Sequence, residues 1–258
     1  MTDASTKWRT ALQTLRQNGR IALADWPADT IAPEQLGLKA EGAFLSMPER
    51  VRLYDEGYLD GQLKQVDATA TLRLFDAVDS TNTAMIRDAQ THGVGGHIYV
   101  AEFQTAGRGR RGRDWIGDFG RNVAMTVGFS FQRQLSDLGG LSCVAGLALI
   151  QVLENLGVKA QLKWPNDVWF EDKKLAGILV ELIQTPRGAS AVIGIGMNVD
   201  LSPEQTSMID QAVVGLRALD AAIAREDLVV AIYDALSVNL TFFAQEGFAR
   251  FVPAFDAV

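Results

Sequence analysis

The 258-residue sequence contains one cysteine, Cys143, and two histidines, His92 and His97. A single cysteine excludes an intramolecular disulfide and leaves no thiolate cluster for zinc. The histidines lie outside any helical ligand spacing, so no metal site and no Ser-His-Asp triad is expected from them. No apolar run reaches the roughly 18 residues that signal a membrane span. The opening MTDASTKWRT lacks the basic-then-apolar layout of a secretion signal, and together these features predict a cytoplasmic protein without a membrane partner. Positive charge is also scarce, with 24 Lys and Arg against 31 Asp and Glu. A net charge of −7 argues against broad nucleic-acid binding, which needs a basic surface to meet the phosphate backbone.

Apolar residues make up 48% of the chain, enough for a sizeable core. Residues 1–66 differ in pattern from the remainder of the chain. KWRTALQTLRQNG has helical apolar spacing at Trp8, Leu12 and Leu15 and a terminal glycine at Gly19. A mixed stretch with Pro27, Pro33, Gly37 and Gly42 comes next, and then PERVRLYDEGYLDGQL, which predicts a short helix. This region carries eight Lys and Arg against nine Asp and Glu.

From residue 70 the pattern is denser. TLRLFDAV and IYVAEFQ predict strands, and between them DSTNTAMIRDAQTHG predicts a helix capped by Ser80 or Thr81. In NVAMTVGFSF, bulky Val123, Met125, Val127, Phe129 and Phe131 alternate with small Ala124, Thr126, Gly128 and Ser130, giving a strand with one bulky and one small face. GGLSCVAGLALIQVLENL reads as a buried helix closed by Gly157. VWFEDKKLAGILVEL reads as two strands around a polar turn, SAVIGIGMNVD as a further strand, and EDLVVAIYDALSVNLTFFAQEG as a long helix. Hairpins interrupt any β-α alternation, so the expected class is α+β, with a mixed β-sheet flanked by helices.

The most unusual stretch is GRGRRGRDW, residues 107–115, where four arginines are separated by glycines. Glycines disfavour a helix but let backbone come close to a ligand, and free N–H groups with guanidinium forks suit a phosphate or carboxylate. Three further segments hold polar groups where a bland core would not: DSTN at 79–82, KWPND at 163–167 and KLAGILVE at 174–181. GIGMN at 194–198 is a fifth. Taken singly, each has an ordinary structural reading: a helix cap, a turn, a strand bulge. Trp164 and Trp169 read as core residues, and Asp167 and Asn198 read equally well as turn-closing residues.

In this order, DSTN, QTAGRGRRGRDW, KWPNDVWF, KKLAGILVEL and GIGMNVD resemble the catalytic domain of the biotin protein ligase family, over about residues 70–255. The resemblance implies a fold of the class II aminoacyl-tRNA-synthetase and biotin-ligase type for residues 67–258. It also implies an activity: biotin is activated with ATP to biotinyl-5′-AMP and passed to a lysine of a biotin carboxyl carrier protein domain. ATP and biotin are then substrates, with Mg²⁺ required. Arg108, Gly109 and Arg110 would cradle the carboxylate and phosphate in a loop that orders when ligand binds. Ser80, Thr81, Asn82 and Gln104 would hydrogen-bond and flank biotin, and Gly177, Gly194 and Gly196 would let it lie against the sheet. Lys174 matches the family's essential lysine, with Lys163 assisting. Arg110, Arg111, Trp115, Asn166 and Asn198 would contact ATP or the adenylate, and Asp167 would bind Mg²⁺.

Two departures from the family are expected. Residues 1–66 read as a degenerate or truncated remnant of its winged-helix module plus a linker, so no DNA binding is expected. The C-terminal SH3-like domain is expected to be absent. The family is often dimeric through its central sheet, so a homodimer is among the implied partners. Two other readings stay open: a biotin or biotinyl-AMP sensor without full turnover, and a lipoate or octanoyl ligase-like enzyme, which the arginine loop disfavours.

Overall fold

The computed structural model describes residues 4–27, 31–48, 51–185 and 188–255. Helix α1 (Ala4–Asn18) buries Ala11, Leu12 and Leu15 along one face and stops at Gly19, whose φ of +68° is open to glycine. Three short antiparallel strands come next, β1 (Arg20–Ala22), β2 (Lys39–Glu41) and β3 (Phe44–Ser46), in the order β1-β3-β2. The β2–β3 hairpin turns at Gly42 within the stretch whose sequence pattern is mixed. Three-residue strands are too short to display a period of two, so only the glycine marked it. Leu12, Leu15, Ile21, Leu36, Leu38 and Leu45 form a small core with Phe119.

Helix α2 (Glu56–Val66) begins later than the sequence suggests, at the Asp55 cap, whose carboxylate accepts from Tyr58 N. Its Leu59 and Leu63 enter the main core. Helix α2 thus packs with the main layer, whereas Leu53, just before it, packs against the small N-terminal core.

The main layer is built from β4 (Thr71–Phe75), α3 (Thr81–His92), β5 (His97–Ala101), β6 (Val123–Phe131), α4 (Leu141–Asn155), β7 (Gln161–Lys163), β8 (Asp167–Phe170), β9 (Lys173–Thr185), β10 (Gly188–Met197), α5 (Pro203–Met208) and α6 (Arg225–Glu246). The seven strands run in the order β4-β5-β6-β10-β9-β8-β7, with β4 and β5 parallel and every other pair antiparallel. This is the mixed sheet of an α+β fold. Helices α4 and α6 cover one face, burying Val123, Met125 and Val127 beneath them, and α3 lies on the other. Leu135–Asn155 and Arg225–Glu246 are long and apolar enough to cross a bilayer by composition alone. Here they pack against the sheet and each other, with Asn239 donating to Gln151 across the contact.

The register brings small residues together across the three central strands, broken only by Leu179. Gly194 of β10 sits between Thr126 of β6 and Leu179 of β9, and Gly196 sits between Ala124 and Gly177. A Cβ on Gly128 would fall 2.1 Å from Val94 O, so the turn after α3 packs directly on backbone.

One buried ionic node ties the N-terminal region to this layer. Glu102, just past β5, is fully buried. It accepts from Tyr54 N (2.5 Å), pairs with Arg225 (2.8 Å) and lies 3.5 Å from Arg16 of α1. Burial pushes its carboxyl up, while the neighbouring Arg225 and Arg16 guanidiniums pull it back. Arg16 also holds Asp76 and Tyr54 O, and Arg225 reaches Asn122 O and Arg52 O. Glu102→Ala would leave Arg225 buried without its counter-charge, an error that costs about 3–5 kcal/mol. Urea unfolding is expected to show a loss of that size; a loss under about 1 kcal/mol would mean that the pair behaves as an exposed one.

Candidate active site

A cavity of about 480 Å³ opens over Gly194 and Gly196, walled by the start of α3, the 107–115 loop, the β7–β8 turn and residues 208–213. Each wall is held by a specific local arrangement.

Ser80, Thr81 and Asn82 are buried at the start of α3. Ser80 occupies the cap position but its hydroxyl makes no cap bond. The free N–H of Thr81 instead donates to Gln104 Oε1 (2.8 Å), with the Thr81 hydroxyl 3.1 Å from the same oxygen. This joins α3 to the segment leaving β5. Asn82 reaches inward: its Oδ1 accepts from the Thr126 hydroxyl (2.7 Å), and its amide donates to Glu181 (3.0 Å) and Leu179 O (3.2 Å). A Cβ on Gly194 would stand 2.2 Å from Asn82 Oδ1. Trp115 packs against the other glycine, since a Cβ on Gly196 would stand 2.2 Å from its Cε2. Gly177, Gly194 and Gly196 thus line the cavity, but Gly194 and Gly196 make room for protein side chains.

The glycine-arginine loop folds on itself. Trp115 N donates to Gly107 O and Gly109 N to Arg113 O, and Arg111 has a φ of +58°. Its arginines then reach out. Arg108 makes a two-pronged pair with Glu181 (2.9 and 3.1 Å), so its fork faces a protein carboxylate at the cavity wall. Arg110 donates to Asn166 Oδ1 (3.1 Å) on the opposite wall. Asn166 is itself bound to β9 through Ile178 N and O.

Lys174 is largely buried, its Nζ 3.0 Å from Asp167 Oδ1 and 5.7 Å from the centre of the Trp115 ring. The pair lies at ion-pair distance but off hydrogen-bond geometry, so this buried oxygen of Asp167 has no hydrogen-bond partner. Residues 208–213 run beside Lys174, whose N–H donates to Ala212 O. Asn198 is buried, and its amide donates to Lys174 O (3.3 Å), so it braces the strand as well as lining the cavity.

Of the residues singled out from sequence, Ser80, Thr81, Asn82, Gln104, Arg108, Gly109, Arg110, Trp115, Asn166, Asp167, Lys174, Gly177, Gly194, Gly196 and Asn198 line this cavity, whereas Lys163 and Arg111 do not. Lys163 lies 3.5 Å over the Trp169 ring, a cation–π contact that points it elsewhere. Arg111 takes the exposed left-handed corner of its loop. Trp164, read as core, is 72% exposed, because the Trp164–Pro165 turn lies on the rim. Sequence reasoning missed Glu181, Thr126 and residues 208–213. A carboxylate ending the apolar run of KLAGILVE was a usable signal for Glu181; residues 208–213 carry no motif.

The geometry defines a class: a cavity with a hydrogen-bonding wall at one side and Lys174 with Arg110 at the other, fit for a largely apolar ligand bearing an anion. The model of the biotin/lipoate A/B protein ligase family matches residues 74–198. The chain is 33% identical over 236 residues to the bifunctional ligase/repressor BirA of Escherichia coli, covering 91% of this chain and 70% of that one. It is 36% identical over 184 residues to the biotin–[acetyl-CoA-carboxylase] ligase of Mycobacterium tuberculosis, covering 65% and 67%. Among solved structures, the biotin protein ligase of Aquifex aeolicus in complex with biotin and ATP superposes with a TM-score of 0.58 at 27% identity, over 72% of this chain and 76% of that one. The chain belongs to the biotin/lipoate A/B protein ligase family, with the catalytic fold of its biotin protein ligases.

Placing a methyl group on Gly196 must displace the Trp115 indole. Gly196→Ala is expected to shift and broaden tryptophan emission, and the shift should vanish in a Trp115→Phe background. Identical spectra for parent and Gly196→Ala would contradict the close contact.

Proposed function

We propose that the protein joins biotin to ATP, giving biotinyl-5′-AMP and pyrophosphate, and then passes the biotinyl group to a lysine of a biotin carboxyl carrier domain. One observation carries the reading: a single cavity unites the Ser80–Asn82 and Gln104 wall with Lys174 and Arg110. A ligand whose polar ring meets the first group would extend its carboxylate toward the second.

In the first step a carboxylate oxygen attacks the α-phosphorus and the bond to pyrophosphate breaks. Two anions must approach, and negative charge grows on the phosphate oxygens. Lys174, partly withdrawn from water, and Arg110 supply positive charge aimed at that point. In the second step the acceptor amine attacks the activated carbonyl and AMP leaves. No protein nucleophile is needed, which agrees with the scarcity of histidine and cysteine. Trp115 and the loop keep water from the anhydride.

Mg²⁺ fits this scheme as a companion of the nucleotide. No group of three or more Asp, Glu, His or Cys side chains converges among the described residues, so those residues offer no metal cage of their own. Mg²⁺ is commonly held by one or two carboxylates with substrate phosphates. Asp167, with a buried oxygen lacking a hydrogen-bond partner, is the protein ligand we assign.

Pyrophosphate release with biotin and Mg·ATP tests the reading. The parent is expected to release it, and Lys174→Ala is expected to slow release by roughly 10²–10³, as for loss of one transition-state donor. A parent that binds biotin but releases no pyrophosphate would be a sensor and not a ligase.

A further inference from the structure

We propose that Glu181 is a positioning residue: it holds the 107–115 loop across the cavity by taking the fork of Arg108, and so sets how long the adenylate stays bound. The inference rests on the ligase reading for its second half only.

The loop's backbone hydrogen bonds between Gly107 and Trp115 close the loop on itself. Across the cavity its arginines make two ties. On one side both Glu181 oxygens meet Arg108, at 2.9 and 3.1 Å, and Arg108 also approaches the Thr83 hydroxyl (3.3 Å). On the other, Arg110 meets Asn166.

Glu181 is a rigid anchor for such a tie. It sits within β9, opposite Val192 of β10, and one of its oxygens also accepts from Asn82. Asn82 is wedged against Gly194 and held by Thr126 and Leu179. The clip therefore connects the loop to the sheet through the polar wall itself. A fork-to-carboxylate pair fixes direction as well as distance, so Arg108 places the loop at one height over the cavity. Arg108 is 44% exposed and Glu181 25%, so solvent and salt reach the pair, and it can open to admit substrate. The arrangement also divides the labour among the arginines: Arg108 positions the loop, and Arg110 with Lys174 remains for the anion.

Glu181→Gln keeps the size of the side chain and an oxygen for Asn82 but removes the charge. In the ligand-free protein, subtilisin, whose cleavage does not require arginine, is expected to cut the loop about fivefold faster in Glu181→Gln than in the parent, the factor expected for a lost exposed ion pair. A preformed enzyme–adenylate complex, isolated and then followed for release, is expected to lose adenylate faster by a similar factor. The first-turnover burst of pyrophosphate should stay within about threefold of the parent. Added salt should speed loop cleavage in the parent and leave the variant unchanged. If Glu181→Gln folds poorly, Arg108→Gln breaks the same pair from the loop side. The double variant is expected to match either single one. Parent-like cleavage and release in Glu181→Gln, or additive effects in the double variant, would overturn the proposal. So would a collapsed burst with a protected loop, which would put Glu181 in the chemistry. A parent that forms no adenylate would sink the ligase reading alone, because the protease arm needs no ligand.

Discussion

The site depends on how little stands on one face of the central sheet. Gly194 and Gly196 of β10 lie in register with Thr126 and Ala124 of β6 and with Leu179 and Gly177 of β9. Ordinary side chains there would collide with Asn82 and Trp115, because a single Cβ already comes within 2.2 Å of each. Asn82 could not then reach Thr126 and Leu179, nor could Trp115 lie over β10 beside Lys174. The opposite face of the same strands is bulky and buries α4 and α6. One set of strands thus carries both the core and the site, divided by the period of two.

Charge is arranged around that floor in two distinct settings. Glu102, Arg225 and Arg16 are fixed in the interior and bind α1 to the strand ends that lead into Asp79–Asn82 and Gln104. The N-terminal helix is therefore built into the support of the polar wall. At the cavity mouth the pairs are exposed and exchangeable: Arg108 with Glu181 and Arg110 with Asn166. A buried pair resists rearrangement because a separated partner is left uncompensated, whereas a solvated pair can open at small cost. The two settings suit a rigid pocket beneath a loop that must admit substrate.

Much of this was legible in the sequence. The alternation in NVAMTVGFSF foretold the two-faced strand, and the glycine-arginine loop, KWPND and KLAGILVE foretold the walls of the cavity. Individual side-chain directions were not legible. Lys163 ends β7 and Lys174 lies at the start of β9, each beside a polar turn, yet a tryptophan two strand positions from Asp167 captures the first, and only the second enters the cavity. The fork of Arg108 suggested an anion, but the anion it meets is Glu181, seventy-three residues on. Such pairings depend on which strands become neighbours, which local periodicity does not contain. The β2–β3 hairpin leaves no local signal for the opposite reason, since three-residue strands hold too few residues to show any period.

We propose that this cavity holds an acyl-adenylate in place. The most direct measurement is to mix the protein with biotin and ATP labelled on its α-phosphate, remove free nucleotide by gel filtration and determine what the protein retains. A label that co-elutes with the protein, requires biotin and is discharged to AMP on adding a carrier domain would agree with the account. Label that is retained equally without biotin, or not retained at all, would contradict it.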